Sequence, residues 1–252
     1  MSAKLSPRAT AIVIFAFLLI CSSAFGATCS NATLHGNYGF VVTGSSAGDP
    51  IAAGGEIQFD GKGSVTGFET TSNNGTIGDE LDFVGNYSLA ASCNGSLTIS
   101  PKSGSPSTFK LLSIAGGKVQ MTETDAGVVA SGFAQAQGMF RCTLPNMQGK
   151  YGMSQTGTIV GIGSVALGGA ISLHDNGTLS GSLSGSLNGT IVSGQAVRGV
   201  YKANRSFCNG GAEITINDGE NLFYLFNVVN NGHEILFIQG DNGTVITGTM
   251  ER

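Results

Sequence analysis

Apolar and polar residues alternate along most of the chain, and turn-forming pairs interrupt the alternation at short intervals. Tyr38, Phe40 and Val42 lie two apart, as do Ile57 and Phe59, and then Leu81, Phe83, Gly85 and Tyr87. A period of two puts every second side chain on the same face of a strand. Asp60-Gly61, Asn94-Gly95, Asn176-Gly177, Asn209-Gly210, Asn231-Gly232 and Asn242-Gly243 punctuate these runs. Such pairs suit tight hairpins, whose central residues need positive φ. Eight strands are predicted in the first half, near residues 36–44, 53–60, 63–71, 81–89, 95–101, 107–114, 118–124 and 127–136. Eight more are predicted near 149–157, 165–174, 178–184, 190–203, 210–217, 220–229, 233–239 and 244–251. No stretch beyond residue 27 carries the 3.6-residue period of an amphipathic helix.

The two sets of strands are copies of one another at a spacing of about 114 residues. Gly36-Asn37-Tyr38-Gly39 answers Gly149-Lys150-Tyr151-Gly152, and Gly54-Gly55-Glu56-Ile57 answers Gly168-Gly169-Ala170-Ile171. Gly85-Asn86-Tyr87 answers Gly199-Val200-Tyr201. A repeat this long is a duplicated domain, since solenoid repeats run ~20–50 residues. The domains are placed at 28–138 and 139–252, behind a leader at 1–27. Eight sequential antiparallel strands close into a small up-and-down barrel. The expected fold is therefore all-β: two tandem antiparallel eight-stranded up-and-down barrels, each with one disulfide.

The leader reads as a signal peptide. Lys4 and Arg8 precede an apolar run from Ala11 to Ile20, and Ala24 and Gly26 supply small residues for cleavage. The alternative, a lipoprotein acylated on Cys21, is disfavoured by the bulky Ile20 before it. Export to a secreted or periplasmic location fits the remaining cysteines, Cys29, Cys93, Cys142 and Cys208, an even number that reads as two disulfides. In an up-and-down meander the fourth strand ends at the rim where the first begins. Pairing of Cys29 with Cys93 and of Cys142 with Cys208 suits that geometry; pairing between the repeats is the alternative. The same parity places the longer connections, residues 45–52, 71–79 and 102–106, at the opposite rim of the first barrel.

Composition narrows the function classes. Gly is 40 of the 252 residues and only 11% are charged, which removes the usual surface of long solvent-exposed helices. The net charge of −4 leaves no basic footprint for nucleic acid. No apolar stretch is long enough for a membrane span. The cysteines and histidines lack metal-ligand spacing, and no cofactor is expected. Asp79, Glu80 and Asp82 cluster at one loop and read as a solvated strand entrance.

The Gly-x-Tyr at the start of each repeat resembles the Gly-x-Trp that opens lipocalins and related calycin barrels, with Tyr in place of Trp. The fuller pattern of Cys, Gly-x-Tyr-Gly, Gly-Gly-x-Ile-x-Phe-Asp-Gly-x-Gly, Gly-x-Tyr and Cys-x-Gly is similar to a group of exported bacterial β-barrel proteins of uncharacterised activity. That resemblance implies export and a barrel, and it carries over no functional residue.

Tyr38, Phe40, Phe59, Phe83, Tyr87 and Phe109 are expected to point into the first barrel, where they either line a site for a small apolar or amphiphilic ligand or fill the lumen. Two segments, Leu222-Phe223-Tyr224-Leu225-Phe226 and Ile235-Leu236-Phe237-Ile238, are apolar on both faces. An outer face through Phe223, Leu225 and Phe237 is expected to pack against the first barrel or a second copy of the chain. The function expected is a non-catalytic, exported tandem barrel that binds a small ligand. The alternative is a structural or cell-surface interaction protein with filled barrels.

Overall fold

The computed structural model describes residues 28–252 except 115, 139–140, 218 and 220, so the expected leader lies outside the described residues. The first repeat contains β1 (His35–Ser46), β2 (Asp49–Asp60), β3 (Ser64–Asn73), β4 (Thr76–Ile77), β5 (Leu81–Leu89), β6 (Asn94–Pro101), β7 (Ser107–Ile114), β8 (Lys118–Glu123) and β9 (Val128–Ala136). Each long strand pairs antiparallel with the next, and the two-residue β4 folds back on β3. β1 also pairs with β9, from Tyr38↔Ala136 to Ser46↔Val128, which closes barrel one. The second repeat contains β10 (Gly149–Ile159), β11 (Gly163–Leu173), β12 (Thr178–Leu187), β13 (Thr190–Ala203), β14 (Asn209–Ile216), β15 (Asn221–Val229), β16 (Glu234–Gln239) and β17 (Thr244–Glu251). These form a closed barrel in the same order, with β10 joined to β17. Closure pairs the strand edges that an open sheet would leave exposed.

One disulfide belongs to each barrel: Cys29–Cys93 and Cys142–Cys208, with Cα separations of 4.9 and 5.2 Å. Beside each, a short helical segment seals the barrel end. A 3₁₀ turn, Asn31–Thr33, seals barrel one, and α1 (Leu144–Met147) seals barrel two. Tyr87 Oη donates to the carbonyls of Asn31 and Leu34 at 2.8 and 3.0 Å, and Tyr151 Oη donates to the Met147 carbonyl at 2.9 Å. The first tyrosine of one repeat and the last of the other thus fix their seals from inside. Segments this short are below the length at which helical periodicity shows in a sequence.

Two of the three long connections expected at the opposite rim are hairpins instead. β1 and β2 stay paired to Ser46↔Asp49 and turn at Ala47 and Gly48, with φ of 51° and 94°. β3 runs to Asn73 and turns at Asn74 and Gly75 into β4. These stretches are small and polar and show no alternation, but a ladder of main-chain hydrogen bonds needs only extended backbone. Residues 102–106 remain a loop.

The barrels lie side by side with their disulfide ends together. β1, β2 and β9 face β15, β16 and β17 through two small apolar clusters. Val41 and Phe133 meet Val229 and Leu236, and Ala52 meets Leu225, Ile238 and Val245. At Gly39 the approach is so close that a Cβ would sit 2.7 Å from Asn227 Cβ and 2.8 Å from Val229 Cγ1. Polar contacts tie both ends. Ser72 Oγ donates to the Thr244 carbonyl at 2.6 Å and Gly243 N–H to the Gly75 carbonyl at 2.7 Å. At the disulfide end Gln137 Nε2 donates to Glu56 Oε2 and to the Phe207 carbonyl, both at 2.9 Å.

This packing corrects the expected outer face. Phe237 points into barrel two, where its ring meets Tyr224 edge-on with centroids 5.4 Å apart. Phe223 lies outside but is 41% exposed, over Gly211 and Gly240. Of the three residues, Leu225 faces barrel one, with Leu236 and Ile238 beside it. All six residues of β16 are buried, so its hydrophobicity carries no alternation from which to choose the phase.

Candidate functional site

The interior of barrel one is divided into a packed half and an open half. Towards the disulfide, Tyr38, Phe59 and Tyr87 pack edge to face with centroids 5.0 and 4.9 Å apart, and Phe83 lies against Phe40. Gly67 makes room for that ring, since a Cβ there would come within 2.5 Å of Phe83 Cζ. Towards the opposite rim a cavity of about 600 Å³ opens, lined by Phe40, Val42, Ala53, Ile99, Phe109 and Val128 among others. Ligand sites span ~300–1,000 Å³. Of the six aromatic residues expected in the lumen, Phe40 and Phe109 reach this cup, and Tyr38, Phe59, Phe83 and Tyr87 belong to the packed core around its base.

Two carboxylates stand among these apolar walls. On β3 the inward phase runs through Val65, Gly67 and Glu69, and on β8 through Val119, Met121 and Glu123. Both acids line the cup, and Asp125 lies at its mouth. Glu69 is only 8% exposed, and among the described residues it makes no hydrogen bond or ion pair. Burial, and then the charge of Glu123, pushes its carboxyl up to about 7. Burial also raises Glu123; the Ser107 hydroxyl opposes that shift and Asp125 adds to it. Asp125 Oδ2 accepts the Thr108 N–H at 2.7 Å. Among the described residues no Lys, Arg or His lines the cup. The arrangement can hold an apolar body against aromatic and aliphatic walls and present negative charge to one end of it.

In barrel two the core around Met147, Ile171, Tyr201, Phe226 and Phe237 leaves a space of only about 30 Å³. The pairs Gly55↔Glu69 and Phe109↔Glu123 correspond to Gly169↔Leu183 and Tyr224↔Gln239. Leu183 is in the core of barrel two, Gln155 and Gln239 are buried, and the Gln155 side chain meets the Tyr224 hydroxyl. Larger and neutral side chains thus occupy the level at which barrel one is open.

Glu69 and Glu56 make stability depend on pH. The Glu56 carboxyl, buried between the barrels, is likewise pushed up to about 7, by desolvation against the opposing Gln137 hydrogen bond. Each holds its proton in the folded chain over a range, from about 4.5 to 7, in which the unfolded chain has released it. The stabilisation is complete below 4.5 and is lost as pH rises through 7. By linkage this is on the order of 3 kcal/mol per group. Glu69→Gln is therefore expected to melt at a higher temperature than the unchanged chain at pH 8 and at nearly the same temperature at pH 4.5. Equal melting at pH 8 would contradict the assignment.

The other acidic cluster stays at the surface. Asp82 forms an exposed ion pair with Lys102, and exposed pairs of this kind contribute little. Among the described residues no three His, Cys, Asp or Glu side chains are grouped to hold a metal ion, and no helix is long and apolar enough to cross a membrane. The sequence signal for Glu69 and Glu123 lay in strand phase: each continues an inward-facing series two residues beyond an apolar or glycine position.

No known family model matches the chain, and no curated protein is detectably similar to it in sequence. Among solved structures, the crystal structure of the isotype 1 transferrin binding protein B from serogroup B Neisseria meningitidis is similar at 7% identity, with a TM-score of 0.36, over 86% of this chain and 75% of that chain. With so distant a likeness, what this chain does has to be read from its own two barrels.

Proposed function

We propose that the chain is an exported, non-catalytic binding protein that holds a small amphiphilic ligand in barrel one. The observation that carries this reading is the cup itself, about 600 Å³ of space walled by aromatic and aliphatic side chains together with hydroxyls such as Thr71 and Ser107 and the acids, set in a fold whose sister barrel is filled. Interiors of small domains are ordinarily packed with few voids larger than a water molecule. Two disulfides, one per barrel, suit an oxidising compartment outside the cytoplasm. Barrel two supports the alternative role, that of a structural partner, because its side chains fill it and its outer face holds barrel one. The two roles are divided between the repeats.

A hydrophobic fluorescent dye is expected to bind the unchanged protein and to lose most of its signal with Ala53→Phe, which puts a ring into the cup from β2. Native mass spectrometry of protein purified from its own source is expected to show a copurifying small molecule. If the dye does not bind and no ligand copurifies, the reading falls.

A further inference from the structure

We propose that the occupant of the barrel-one cup is an organic cation, an amphiphilic amine whose apolar body lies on Phe40 and Phe109 and whose ammonium group sits between Glu69 and Glu123. The proposal rests on the reading that the cup holds a ligand, and it names the chemical class.

Glu69 is the first argument. A carboxylate removed from water is costly unless a cation or hydrogen-bond donors replace the lost hydration. Glu69 is more than nine-tenths buried, faces the cup, and has no donor from the chain among the described residues. The donors that line the cup with it are neutral, among them the hydroxyls of Thr71 and Ser107, which supply no charge. The acids facing it are Glu123 at the end of β8 and Asp125 in the turn beyond, both of the same sign. β1 contributes Phe40 and Val42, β2 Ala53, β6 Ile99, β7 Phe109 and β9 Val128, none of them charged. Among the described residues no positive charge faces Glu69, and a cationic guest would supply one.

The duplication supplies the second argument. The barrel fold does not require acids at these positions, since barrel two closes with Leu183 and Gln239 in their places. The acidic pair occurs in the barrel with room for a guest and is absent from the filled one. The third argument is the chemistry of the walls. Aromatic faces attract a cation placed over them, more strongly when it is desolvated. An anionic headgroup would meet two carboxylates, and a neutral hydroxyl would offer Glu69 one hydrogen bond but no charge.

In the empty cup Glu69, desolvated and beside the charge of Glu123, holds its proton up to about 7, so an ammonium group taken up beside it displaces that proton. Binding of an amine therefore strengthens as pH rises from about 5 to about 8, whereas binding of an alcohol of the same length does not.

Isothermal titration of the disulfide-bonded protein with decylamine, decanol and decanoate tests this without any substitution. At pH 8 decylamine is expected to bind at least tenfold more tightly than decanol, with decanoate weakest, and the advantage is expected to shrink severalfold at pH 5.5. Equal binding of decylamine and decanol would overturn the cation assignment and leave the cup reading standing. Binding of none of the three would remove both. In Glu69→Leu with Glu123→Gln, which installs the barrel-two residues, the amine-to-alcohol ratio is expected to fall close to one. Survival of the full ratio in that variant, or in Glu69→Gln alone, would place the charge recognition elsewhere and overturn the proposal. Displacement of decylamine by calcium chloride at matched ionic strength would also overturn it, in favour of an inorganic ion.

Discussion

Phe237→Asp is expected to unfold barrel two, and Phe223→Asp, fourteen residues before it, to leave the chain folded with its melting temperature nearly unchanged. Phe237 is 4% exposed, packs edge-on to Tyr224 and presses against Gly248, where a Cβ would come within 2.4 Å of its ring. Truncating a buried Phe costs about 3–5 kcal/mol, and the carboxylate adds an unpaired buried charge. The total is comparable to the ~5–15 kcal/mol stability of a whole domain. Phe223 is half-exposed and gives up only a surface contact. Leu236→Asp separates the two kinds of effect. Leu236 is fully buried between the barrels against Val41 and Val229. Its loss is expected to lengthen the particle in small-angle scattering while the strand signal in circular dichroism persists. A cooperative melt of Phe237→Asp at the unchanged temperature would show that the phase assigned to β16 is wrong.

Replacing Cys142 and Cys208 together by Ser is expected to be the next most damaging change. The bridge closes a loop with a sequence separation of 66 residues. Chain entropy alone gives such a loop about 4 kcal/mol. The bridge also holds the segment that leads into α1, whose Met147 is fully buried at the barrel end and receives the Tyr151 hydroxyl. Urea unfolding is expected to split into two transitions, with barrel two melting first and barrel one, which keeps Cys29–Cys93, near its original midpoint. A single unshifted transition would mean that the bridge adds little to the folded state.

Much of this architecture was legible because its signals are local. Asn-Gly and Asp-Gly pairs mark most of the hairpins and alternation marks the strands between, but Asn94-Gly95 and Asn209-Gly210 open β6 and β14, and the positive φ falls on Cys93 and Cys208 before them. With the strands counted, parity favoured Cys29 with Cys93 and Cys142 with Cys208 over pairing between the repeats, and these are the bridges observed. The site was less legible. Attention to apolar positions finds Phe40 and Phe109, but Glu69 and Glu123 are polar residues in an apolar phase and stand out only when the strand phase is carried through them. The loop acids Asp79, Glu80 and Asp82 were more visible in the sequence, and the structure places the Asp82–Lys102 pair among them at the surface. The depth of the cup could not be read at all. It depends on how far the packed aromatics rise in the barrel, and that follows from ring orientations such as the edge-to-face contacts of Tyr38, Phe59 and Tyr87. The phase of Phe237 was hidden for a related reason, because burial on both faces of β16 erases the periodicity.

The contact between Ser72 and Thr244 has a kinetic consequence for barrel one. Ser72 and Asn73 belong to the wall of the cup, and Ser72, with Gly75 beyond it, is bonded to barrel two at Thr244 and Gly243. Across the opening, residues 102–106 make no hydrogen bond to barrel two among the described residues. One side of the doorway is therefore clamped by the neighbouring domain, and the other is held only within barrel one, through Lys102 and Asp82. A guest of the proposed kind is expected to enter and leave past the 102–106 side, and loosening the joint between the barrels is expected to open a second, faster route.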